Sequence, residues 1–130
     1  MTIRFELKTN NTLRIEVSNI SESLYKFLKT KVVVVAKNHT IIGSAKVKHL
    51  IISMDSNGKD PVSIIIPEGL ERQKRRLTYA SEGKTELKFK NESSMCKTAE
   101  AILVAFADLN SKARKFFGLK NNLFFIKLEG

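Results

Sequence analysis

Between positions 72 and 76 the chain carries Arg72, Lys74, Arg75 and Arg76, four positive charges in five residues. Guanidinium forks and ammonium groups are the side chains that neutralise phosphate oxygens. Glu71 alone stands against them, so the four cannot pack together and are expected in solvent, open to a polyanion. Lys84, Lys88 and Lys90 follow, and Lys88 and Lys90 alternate with inward Leu87 and Phe89. With Leu77 turned to the core, Arg76 faces out on the neighbouring strand, and loop and ribbon present one basic surface. Lys46 and Lys48, with Lys31 and Lys37 near the ends of the adjoining strand, extend it. Tyr79 is the first choice for stacking on a base, with Tyr25 and Phe125 behind it. Aromatic residues make up only 8%, and stacking platforms use several exposed rings. Contact with the phosphate backbone is therefore expected to outweigh sequence-specific readout.

Other chemistries find less support. Cys96 falls in the first turn of a long helix, where the dipole would lower a thiol's pKa. A nucleophile also needs a histidine and an acid placed around it, and His39 and His49 have no spacing that supplies this, so Cys96 reads as a packed thiol. Two histidines without clustered carboxylates make no metal site. Asp55 and Asp60 flank Ser56-Asn57-Gly58, a turn sequence without calcium-loop spacing. No phosphate-binding glycine motif, zinc-ligand pair or helix-turn-helix is present. The residues point to no enzyme, no cofactor and no metal.

The charge balance agrees with the basic segments. Twenty-three Lys and Arg against 13 Asp and Glu give +10, which favours DNA, RNA or another anionic partner. The 130 residues are expected to form a single domain, 1–130, and 42% apolar content excludes intrinsic disorder. The N-terminus lacks a signal peptide's apolar run, and no run reaches membrane-spanning length. One cysteine cannot form an internal disulfide. A soluble, cytoplasmic protein in a reducing compartment is expected, without membrane contact.

The elements that must position these side chains can be read in order. Ile3, Phe5 and Leu7 alternate with polar residues, as do Leu13, Ile15 and Val17, around an Asn10-Asn11 turn: a β-hairpin. Asn19 and Glu22 have capping-box spacing before a short helix with Ile20, Leu24, Phe27 and Leu28 on one face. Val32 to Val35 reads as a buried strand, Lys37-Asn38-His39 as a turn, and Thr40 to Met54 as one long strand. That strand changes parity near Lys48-His49, which suggests a β-bulge. A strand through Val62, Ile64 and Ile66 lies between Pro61 and Pro67. A second hairpin joins Leu77–Tyr79 to Leu87–Phe89.

Ser94 to Gly118 then carries Met95, Ala99, Ile102, Phe106, Leu109, Ala113 and Phe116 at steps of four and three, a helical stripe capped by Ser93 or Ser94 and stopped by Gly118. The stripe suits packing on the domain's own sheet, and its spacing would also suit a homodimer seam. Leu123 to Leu128 is a final strand. The fold class is α+β: a mostly antiparallel sheet with one short helix and one long C-terminal helix across it. The leading functional reading is a small nucleic-acid-binding protein. Its rival is a protein-interaction module, a small subunit or inhibitor whose basic face docks on an acidic partner.

Overall fold

The alternation near the N-terminus does what its period demands. β1 (Thr2–Leu7) and β2 (Thr12–Ser18) pair antiparallel, with Ile3 opposite Val17, Phe5 opposite Ile15 and Leu7 opposite Leu13. All six are buried on one face, while Arg4, Glu6, Arg14 and Glu16 take the other. The computed structural model describes residues 1–8, 12–56, 85–107 and 122–129. The expected strand at 62–66, the 77–79 half of the second hairpin and the helix continuation beyond 107 lie outside these residues.

Helix α1 (Glu22–Val35) is longer than its sequence suggested. Ser21, not Asn19, is the N-cap: its Oγ accepts from the Leu24 amide at 3.2 Å, whereas Asn19 takes a positive φ of 55°. The valine run expected as a strand forms the last turn of this helix. Val32 and Val35 share the buried face with Leu24 and Leu28, while Val33 points outward. Helical spacing of buried positions prevails here over the β preference of branched side chains, which is mostly a packing preference.

The residues assigned to one long strand form a hairpin. β3 (Ala36–Ser44) and β4 (His49–Ser56) pair antiparallel around Ala45–Lys48, so the change of parity is a turn, not a bulge within a strand. Lys37-Asn38-His39, expected as a turn, belongs to β3, and the one register irregularity of this pair falls between Ala36 and His39.

β5 (Thr85–Phe89), α2 (Glu92–Ala107) and β6 (Leu123–Leu128) follow. Asn91 Oδ1 caps α2 by accepting from the Ser94 amide at 3.2 Å. The expected stripe is buried at Met95, Ala99, Ile102 and Phe106, and from Ala101 to Ala107 every residue is buried. Over the described residues the stripe is buried inside the chain.

Among the described residues the sheet has six strands in the order β3-β4-β2-β1-β6-β5, antiparallel except for β5 with β6. Ile3, Phe5, Ile15, Leu50, Ile52, Leu87, Phe124 and Ile126 form its inner face, covered by α1 and α2. Burial of side chains this size stabilises by about 1.5–3 kcal/mol each before chain entropy is counted. The architecture is α+β, with the longer C-terminal helix packed against the sheet.

Both helices begin at the end of the sheet where β2 and β5 finish, so they run parallel. Ser21 Oγ and Ser23 Oγ donate to the Glu92 carboxylate at 3.0 and 3.1 Å, and further along Lys31 Nζ meets Glu100 at 3.0 Å. Two parallel helix dipoles side by side repel, and a carboxylate shared by both N-termini offsets this.

Candidate nucleic-acid interface

Six of the ten residues expected to bind nucleic acid (Arg72, Lys74, Arg75, Arg76, Tyr79 and Lys84) lie outside the described residues. The other four divide into two groups. Lys46 and Lys48 stand on the β3–β4 turn, and Lys88 and Lys90 at the end of β5. Among the described strands β3 and β5 are the two ends of the order, five strand spacings or roughly 24 Å apart. The two groups share one end of the sheet, because β3 and β5 finish there with β2 and β6, but they are not one patch.

The exposed sheet face does not join them. Arg4, Arg14, Lys88 and Lys127 point to it together with Glu6, Glu16, Asp55 and Glu86, so its charges cancel. Arg4 Nη1 meets Glu6 at 2.6 Å, Arg14 Nη2 meets Glu16 at 3.7 Å, and His49 Nε2 lies 3.3 Å from the same Glu16 carboxylate. His49 thus opens β4 beside an acid and does not mark a bulge. Phe125, one of the reserve stacking rings, sits half-buried on this face between Arg4 and Glu86. Its arginines are held by neighbouring carboxylates, so the middle of the face is no phosphate platform, whereas Lys88 and Lys127 at its β5–β6 margin make no ion pair among the described residues.

The β3–β4 turn is different. Ala45–Lys48 is closed by the Lys48 amide donating to the Ala45 carbonyl at 3.3 Å, and Lys48 takes a φ of 56°. Gly43, with φ 101°, sets the chain's entry into the turn. The Asn19 amide then donates to the Lys48 carbonyl at 2.8 Å, which ties the turn to the residues ahead of α1. Between these walls lies a cleft of about 730 Å³, lined chiefly by Asn19, Ser21, Tyr25, Lys26, Lys46 and Lys48.

Its charge is positive. Lys46 and Lys48 are exposed and make no ion pair among the described residues. Glu22 is the cleft's carboxylate, and its 3.7 Å pair with Lys26 joins two side chains each 74% exposed, a solvent-screened interaction of little strength. Lys29 Nζ stands 5.9 Å from the centroid of the Tyr25 ring. Val47, 67% exposed, occupies the tip of the turn between the two lysines. Sequence reading named Lys46, Lys48 and Tyr25 but missed Lys26 and Lys29. Their signal was the exposed i, i+3 spacing on a helix that the sequence made too short.

The second group gains one member. Lys127 on β6 pairs in register with Lys88, and Lys90 follows directly, all exposed. Outward alternation with Phe125 and Leu123 was the available clue to Lys127.

Cys96 reverses its expected sign. Partial burial, with the Glu92 carboxylate nearby, pushes the thiol above its ordinary value, so the helix N-terminus does not activate it. Alkylation at neutral pH is expected to be slower than for a free thiol and to accelerate as pH rises. Its stability contribution, fully present below the unfolded thiol's pKa, is lost as pH rises through the higher folded value. Cys96→Ser should cost on the order of 1 kcal/mol in a denaturation experiment and leave binding unchanged. Fast alkylation at neutral pH would contradict this.

No helix among the described residues is long and apolar enough to cross a membrane, and among them no three His, Cys, Asp or Glu side chains gather as a metal site would require. Comparison with protein families, with curated proteins and with solved structures found no match to this chain.

Proposed function

We propose that the protein binds nucleic acid, mainly through the phosphate backbone, with the cleft between α1 and the β3–β4 turn as one contact surface. The observation that carries this reading is the meeting of Lys26, Lys46 and Lys48 with the Tyr25 ring around one concave, net-positive site. Lys88, Lys90 and Lys127 lie further along the same end of the sheet. Arg72, Lys74, Arg75 and Arg76 supply the densest charge in the sequence and are assigned to the same polyanion.

A lysine on phosphate releases condensed counterions, so affinity must fall with salt. Lys46→Gln with Lys48→Gln is expected to flatten the slope of log affinity against log salt by about 0.7–0.9 for each phosphate left without its lysine. Arg75→Ala with Arg76→Ala should act similarly, weakening binding evenly across sequences. Lys46 and Lys48 are exposed and make no ion pair among the described residues, so thermal stability should hold in the glutamine variant. The measurement is fluorescence anisotropy at several salt concentrations. Feeble binding to every nucleic acid at physiological salt would favour an acidic protein partner instead.

A further inference from the structure

We infer that the cleft takes an unpaired strand, with one base against Tyr25, the next against Val47 on the turn outside the cleft's lining, and the flanking phosphates on Lys26, Lys46 and Lys48; this rests on the nucleic-acid reading of the same cleft. The argument begins with the apolar groups. Val47 is the most exposed large apolar side chain among the described residues at 67%, and it stands between two lysines at the tip of a turn. Nothing in the fold requires a valine there, since the closing hydrogen bond of the turn is backbone to backbone. Tyr25 lines the cleft from the opposite wall, while Lys29, outside the cleft's lining, covers one face of its ring at 5.9 Å from the centroid and leaves the other face for a base. Rings and apolar tips interleaved with cations recognise bases by their faces and the backbone by its charge.

In a duplex the base faces are hidden in the stack and only edges and phosphates are offered, whereas unpaired bases can be splayed onto aromatic side chains. The cleft's volume of about 730 Å³ falls within the roughly 300–1,000 Å³ of small-ligand sites, the scale of about one or two nucleotides. Its walls are also fixed before binding. The 2.8 Å bond from the Asn19 amide to the Lys48 carbonyl holds the turn against the start of α1. Less ordering is therefore left to oppose association.

The test uses the full chain, short oligo-dT and oligo-U strands, and a mixed-sequence duplex of the same length, all at one salt concentration. Both single strands are expected to bind about tenfold or more tightly than the duplex. Tyr25→Leu, which keeps an apolar side chain against the core, should weaken single-strand binding by roughly tenfold while moving duplex binding little. Val47→Ser should act in the same direction and, being at an exposed turn, reads the site even if Tyr25→Leu lowers stability. Equal or tighter duplex binding would overturn the inference and leave the nucleic-acid reading standing. A single-strand preference unchanged by both substitutions would also overturn it, by placing the bases elsewhere. Absence of binding to all three probes would remove both readings.

Discussion

Phe106→Ala is expected to lower the stability of the folded chain by about 3–5 kcal/mol, the range for removing a buried aromatic ring and leaving a cavity. Phe106 is 1% exposed, and its ring lies nearly parallel to that of Phe5, centroids 6.3 Å apart. Phe5 belongs to β1, a central strand paired on both sides. The backbone around the site is therefore pinned by neighbouring strands and cannot close over the void. Against a total stability of about 5–15 kcal/mol for an ordinary domain, this loss is large. Urea denaturation should show a lower midpoint with an unchanged slope, and the fraction still folded should bind with unaltered affinity. An unchanged midpoint would show that the α2 stripe is not the core.

Gly43→Ala is the second substitution with a large expected effect, and it acts on stability and site together. The residue holds φ at 101°, a conformation that side-chain-bearing residues seldom adopt, and a β-carbon there would run into the backbone carbonyl of His49 on the paired strand. Conformational strain of this kind costs about 1–3 kcal/mol, and a clash with backbone adds to it because no flexible side chain can yield. Relief requires β3 to move away from β4 just ahead of Ala45–Lys48. Lys46 and Lys48 would then leave their places opposite Lys26. The variant should show both a lower denaturation midpoint and weaker nucleic-acid binding in the folded fraction, whereas Phe106→Ala should show only the first. A Gly43→Ala protein with wild-type midpoint would mean that the strand pair is slack at this position.

Much of the architecture could be read from the residues, and the failures have physical causes. β1 and β2 were legible because one face of each is wholly apolar and the other wholly polar, so a slip of one residue would invert both. Val32 to Val35 misled because branched side chains favour strands only through their neighbours, and here those neighbours are the core beneath α1. The β3–β4 turn was hidden because it uses Lys48 where asparagine or glycine would be the usual signal for positive φ. The phase change it produced was visible but admitted a second explanation. Lys46 and Lys48 were legible as charges. Their meeting with Lys26 and Tyr25 was not, since it depends on where α1 begins and how the turn is tied to Asn19. The sign of the Cys96 shift likewise depends on burial and on Glu92, which spacing alone does not weigh.

The position of β6 has a kinetic consequence. It lies between β1 and β5 and is the partner of both, though it comes after them in the chain. Until Leu123–Leu128 arrives, β1 keeps one row of backbone donors and acceptors open, and β5 has none of its described partners. Helix α2 meanwhile lacks the β6 part of the surface it packs on. A chain emerging from its N-terminus can thus assemble β1, β2, α1, β3 and β4 early, and must hold that half-sheet with one edge bare. Pairing across more than a hundred residues is entropically slow. The late strand makes refolding rate, more than final stability, the property most exposed to change at Phe124 and Ile126, and makes the bare flank of β1 the place where an unfinished chain would meet another.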